Sequence, residues 1–261
     1  MTEENIENKG DKEEKEDDIL SDEKRLPFTS HLEELRKRLI ICFITVGIGF
    51  TASYIFSKKI FAILMMPLID AMPPGGTLIF TGLTEAFLTY LKVSLLTGIF
   101  VTSPVLLFQI WSFVSPGLYK REKKYVFPFV ALSTVFFVGG ALFGYFLVFP
   151  SAFKYLMSFA SETIQPLPSV REYLSLATRL LFAFGIVFEL PLFIFFLAKI
   201  GLVNAKMLSS KRKYSIVIIF IVAAIITPTP DAITQLMMAV PLLILYELSI
   251  WVAKVFGKKK E

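Results

Sequence analysis

Polar and apolar positions divide this chain into long apolar runs separated by short charged stretches. The runs fall at about Leu39–Phe56, Phe87–Val114, Val126–Phe149, Leu174–Ile200, Ser215–Thr227 and Ile233–Ala253. Five are long enough to cross a hydrocarbon core, which takes roughly 20 helical residues. The fifth in chain order has 13 residues, about 20 Å of helix against a core of ~30 Å. None shows the alternation of a transmembrane barrel strand, so helices are the spanning structure. Pro104, Pro128, Pro191 and Pro241 lie in four different runs. Each removes a backbone hydrogen bond and tends to bend its helix. The pattern predicts an all-α integral membrane protein with six kinked transmembrane helices.

Charge sets the expected orientation. Lysine and arginine are concentrated in residues 1–38, 115–124, 199–213 and from Lys254 onward, where they number 21. The three alternate loops hold four, and Lys92 and Arg179 fall inside the runs. The positive-inside rule then predicts that both termini are cytoplasmic. Trp111 and Trp251 sit near the expected cytoplasmic ends of their runs, where interfacial aromatics collect.

Composition narrows the function classes. Of 261 residues, 55% are hydrophobic and 19% charged, more apolar and less charged than a typical soluble domain. Residues 1–25 carry eleven acids against five basic residues and lack an apolar segment. They are expected to form a solvated, disordered acidic tail rather than a secretory signal. The net charge of +5 sits in loops between apolar runs, which does not indicate nucleic-acid binding. With one cysteine, Cys42, and one histidine, His31, no internal disulfide or histidine-cluster metal site is expected. No nucleophile–base pair presents itself for an enzyme, and no cofactor is implied.

Candidate binding chemistry begins at Ser30–Phe43, "SHLEELRKRLIICF". Ser30 and Glu33 match a capping box, so a helix is predicted to start there. Leu32, Leu35 and Leu39 make an apolar stripe leading into the first run. Glu33 can pair with Lys37, and Glu34 with Arg38, at the i,i+4 spacing. Taken alone, these charges read as a solvated membrane boundary. The loop after the second run adds a second acid, Glu122, amid Lys120, Arg121, Lys123 and Lys124. Two carboxylates thus share one membrane face, and carboxylates suit bidentate guanidinium recognition.

Four stretches, "LPFTSHLEELRKRL", "SPVLLFQIWSFVSPGLYKREKKYVFP", "FGIVFELPLFIF" and "TPTPDAITQLMMAVPLLILYELSI", resemble the TatC family, the multi-span receptor component of the twin-arginine protein translocase. The resemblance covers about residues 26–255, between the acidic tail and a short basic tail at 256–261. It implies a cup-shaped six-helix bundle in the bacterial cytoplasmic (inner) membrane, working in an oligomeric complex with the single-span subunits TatA and TatB. It also implies binding of twin-arginine signal peptides of folded passengers, exported by the proton-motive force. The implied signal-peptide site comprises Glu34, Arg36, Arg38, Phe113 and Glu122. Glu34 and Glu122 would take the guanidinium groups, Phe113 would offer a cation–π surface, and Arg36 and Arg38 would orient the glutamates or hold the lipid boundary. A lysine-rich loop repels a dicationic ligand, so close, desolvated contact or help from a partner is needed.

Further acids lie deeper. Glu189, two residues before Pro191, is expected near the middle of the fourth span, where an ionisable group points to function. One alternative is therefore an ion- or proton-coupled secondary transporter using Glu189, although no internal repeat supports it. A passive scaffold leaves the clustered cytosolic motifs unexplained. In "TPTPD", Asp231 can cap the sixth helix, with Thr229 departing from the Thr-Pro-Pro-Asp common in the family. Gln235 can hydrogen-bond another helix. The resemblance implies that Thr227, Asp231 and Gln235 lie where partner helices dock.

Overall fold

The computed structural model describes residues 32–73, 76–114, 126–161, 166–227 and 231–257. The helices are α1 (Leu32–Ile55), α2 (Ser57–Ile69), α3 (Glu85–Val114), α4 (Val126–Phe143), α5 (Phe149–Met157), α6 (Val170–Phe188), α7 (Leu190–Lys199), α8 (Ala205–Ser210), α9 (Arg212–Ile226) and α10 (Ala232–Phe256). A π-helical segment, Gly144–Val148, joins α4 to α5. Five helical stretches are long and apolar enough to cross a membrane: α1, α3, α4 with α5, α6 with α7, and α10. The capping box at Ser30, the acidic tail and the end of the basic tail lie outside the described residues.

The fifth span, α9, begins at Arg212 rather than Ser215 and has 15 residues. The cationic lead-in has joined the helix, yet α9 reaches only about 22 Å. The loop after α1 contains a helix that the hydropathy pattern did not predict, α2. Its apolar residues Met65 and Leu68 are buried rather than spanning.

The prolines of the apolar runs take different places in their helices. Pro104 and Pro241 lie within α3 and α10. Pro191 occupies the first turn of α7, immediately after the fourth span breaks at Glu189. Pro128 lies two residues after Val126, the first described residue of α4. The third span carries its π segment just before Pro150, at the start of α5.

Small residues let helix backbones meet, as they must where lipid supplies no hydrophobic drive between helices. A Cβ on Gly98 of α3 would lie 2.7 Å from the Phe50 backbone nitrogen of α1. One on Gly140 of α4 would lie 2.4 Å from the Phe184 carbonyl oxygen of α6. Above these crossings, Phe100 stacks on Phe137 at 5.0 Å and on Phe182 at 5.4 Å, tying α3, α4 and α6 together.

Two faces result. At the first, the start of α1 meets the end of α3 through Arg38. There Trp111 also packs on Phe129 and Phe196, and the Tyr246 hydroxyl donates to the Leu208 carbonyl. Phe195 of α7 meets Phe256 of α10 on the same side. At the second face, the hydroxyls of Tyr145 and Tyr173 donate to the Ile63 and Leu64 carbonyls of α2. A bridge joins Ile79 to Ser169 nearby.

Candidate functional site

Arg38 organises the first face. Its Nε donates to Glu34 Oε1 at 3.1 Å, and one terminal nitrogen donates to the same oxygen at 2.5 Å. The other terminal nitrogen donates to Gln109 Oε1 at 3.2 Å, and a further bond reaches the Ser112 carbonyl, also at 3.2 Å. The i,i+4 spacing places Glu34 and Arg38 on one side of α1, and the Ser112 carbonyl of α3 adds a further acceptor. With Arg38 21% and Glu34 37% exposed, the pair is partly shielded from water. The corner is thus built to hold a guanidinium, with a carboxylate, an amide oxygen and a backbone carbonyl converging on it.

The other implied residues fall around this corner to different degrees. Phe113, half-buried, lies in the last turn of α3, next to Ser112. Arg36 is exposed and makes no side-chain hydrogen bond among the described residues. Glu33 and Lys37 are likewise exposed, and no ion pair joins them among the described residues. Glu122 lies outside the described residues.

Glu189 stands at the junction of α6 and α7. Trp111 Nε1 donates to the Ser133 hydroxyl at 2.7 Å, and that hydroxyl donates to Glu189 Oε2 at 2.8 Å. This chain crosses α3, α4 and the α6–α7 break. Glu189 Oε1 is buried with no hydrogen-bond partner among the described residues.

The residues implied for partner docking are tied within the chain. Asp231 caps α10: its Oδ1 accepts from the Thr234 amide at 2.8 Å, and its other oxygen accepts the Thr234 hydroxyl. The Thr227 hydroxyl donates to the Ala223 carbonyl at 3.0 Å. Gln235 Nε2 donates to the Phe220 carbonyl of α9 at 3.0 Å, joining the last two spans. Among the described residues, no three His, Cys, Asp or Glu side chains gather into a metal-binding set.

Three participants escaped sequence reasoning. Gln109 reaches Arg38, and its place four residues before Phe113 on an apolar helix was an available signal. Ser133 carries no such signal, because a lone serine in a span usually bonds its own helix. Glu85, at the second face, accepts from Thr81 N at 2.6 Å, Thr81 Oγ1 at 2.8 Å, Gly82 N at 3.1 Å, Ser169 Oγ at 3.2 Å and Arg171 N at 2.8 Å. Its carboxylate staples the loop before α3 to the loop before α6.

Comparison with known proteins places this architecture. Residues 30–241 match the family model described as Sec-independent protein translocase protein (TatC). The Sec-independent protein translocase protein TatC of Desulforapulum autotrophicum is 56% identical over 240 residues, covering 92% of this chain and 88% of the relative. The corresponding protein of Magnetococcus marinus is 44% identical, covering 92% and 89%. A crystal structure of the twin-arginine translocase receptor TatC superposes with a TM-score of 0.77 at 43% identity, covering 86% of this chain and 98% of that one. The chain belongs to the TatC family of Sec-independent protein translocase proteins.

Proposed function

We propose that this chain is the receptor component of a twin-arginine translocase and binds the paired arginines of signal peptides on folded passengers. The observation that carries the reading is the Glu34 corner, where α1 and α3 converge carboxylate, amide and carbonyl oxygens on one guanidinium. An incoming arginine needs the same set of acceptors, so it enters by sharing or displacing Arg38. Glu122 supplies the second carboxylate, and Phe113 and Arg36 flank the path. The chain's likeness to crystal structures of the twin-arginine translocase receptor TatC supports this reading.

The 21-to-four distribution of basic residues supports an inner-membrane orientation with both termini and the first face cytoplasmic. TatA and TatB are the partners in this proposal, docking along α9 and α10 near Thr227, Asp231 and Gln235, with transport driven by the proton-motive force. The decisive experiment is site-specific photocrosslinking from residues 34 and 122 to a signal peptide. Crosslinks that vanish when the peptide's two arginines become lysines support the receptor. Crosslinking indifferent to the arginines, together with saturable small-solute flux by the purified chain, returns the function to a transporter centred on Glu189.

A further inference from the structure

Thr81, Gly82, Glu85, Thr89, Lys92 and Arg171 line a cavity of about 230 Å³ at the second face, between the start of α3 and the start of α6. We infer that this cavity binds the phosphate of an anionic lipid headgroup, held by Lys92 and Arg171.

The charge arrangement favours an anion. Glu85 spends its carboxylate on five neutral donors from the two loops, as described above. Lys92 and Arg171 are both exposed, and neither has a carboxylate partner among the described residues. Two cations therefore face one acid that is already engaged. The cavity is many times the roughly 10–15 Å³ that one water needs, so it is more than a single-water pocket.

Depth identifies the source of the anion. The 30 residues of α3 measure about 45 Å against a hydrocarbon core of ~30 Å. Centred in the bilayer, α3 enters the core near residue 90, which puts the Lys92 backbone just inside the apolar boundary. Lys92 follows Glu85 by seven residues, two turns, so both side chains project from the same face of α3. Helical side chains tilt toward the helix N-terminus, which here is the second face, so the Lys92 stem runs up toward the cavity and the headgroup layer. An unpaired cation at that depth is costly, and a lipid phosphate is the anion within reach. The rim is also lipid-like: Leu88 lines the cavity while 48% exposed, a surface for an acyl chain. A freely diffusing phosphate would gain nothing from that rim.

The test is native mass spectrometry of the full chain released from nanodiscs containing equal phosphatidylglycerol and phosphatidylcholine. Wild-type protein is expected to retain phosphatidylglycerol preferentially. Lys92→Gln and Arg171→Gln should each lower that retention roughly fivefold, the effect of one near-surface cation on an anionic lipid. Lys92→Arg should preserve it, which separates charge from side-chain packing. Equal retention of the two lipids by wild-type protein overturns the proposal without any variant, as does unchanged retention in the double Gln variant. A delipidated sample in detergent supplies the other arm. Stabilisation by inorganic phosphate that phosphatidylglycerol fails to displace assigns the site to free phosphate and overturns the lipid.

Discussion

Removing one hydroxyl, Ser133→Ala, tests the polar chain inside the bundle. Ser133 is 0% exposed and makes two inter-helix bonds, accepting from Trp111 Nε1 and donating to Glu189 Oε2. A single oxygen leaves little cavity, so the cost comes from those bonds. Side-chain bonds within membrane bundles average about 0.6 kcal/mol and reach about 1.7, and an orphaned buried donor costs about 1–3. Two such bonds give an expected loss of about 1–3 kcal/mol. Trp111→Phe supplies the control, because phenylalanine has no N–H to leave unpaired. In the Ser133→Ala background, Trp111→Phe should cost about 1 kcal/mol less than in the wild type, a coupling that a double-mutant cycle isolates. Reversible unfolding in mixed micelles, followed by helical circular dichroism, reads both quantities. Additive effects, with Ser133→Ala costing under about 0.3 kcal/mol, refute the claim that this chain holds α3, α4 and the fourth-span break together.

Three further outcomes are expected. Glu34→Gln should weaken signal-peptide binding about ten- to a hundredfold, the worth of one charge-assisted bond, without unfolding the protein; undiminished affinity returns Glu34 to a boundary role. Cysteines placed in residues 150–172 should react with impermeant reagent from the periplasmic side and not from the cytoplasm, and the reverse pattern rejects the orientation. Depth-sensitive spin labels at Thr227 and Asp231 should lie below the normal headgroup level, since α9 spans about 22 Å of a ~30 Å core; labels at headgroup depth remove the idea of local thinning.

Hydropathy made most of the fold legible, because lipid forces every spanning backbone to satisfy itself as helix. It failed where burial in protein replaces burial in lipid. The apolar residues of α2 read as a loop because the helix is too short to span. The third span ran on through Pro150 to Met157, since a π segment absorbs the proline that an ideal helix would refuse. At the first face, the Glu34–Arg38 pair followed directly from i,i+4 spacing, whereas Gln109 depended on how two helices cross. Asp231 was legible as a cap because capping is local. Glu189 announced itself as an acid in a span, but its partner Ser133, and Trp111 beyond it, are set by tertiary packing and leave no trace in spacing.

One turn of α3 joins the two polar systems of the bundle. Gln109 and the Ser112 carbonyl face Arg38, while Trp111, between them in sequence, faces Ser133. A helical turn carries its residues in all directions, so neighbouring positions can serve opposite sides of one helix. The guanidinium corner at the membrane boundary and the Glu189 junction deep in the bundle therefore hang on the same rigid segment. Pro104 lies just ahead of it within α3, where the missing backbone bond softens the helix. A ligand that draws Arg38 away from Gln109 and Ser112 removes contacts made by the same turn that carries Trp111. These bonds, with the α3 backbone between them, form a contiguous route from Arg38 to the Glu189 carboxylate.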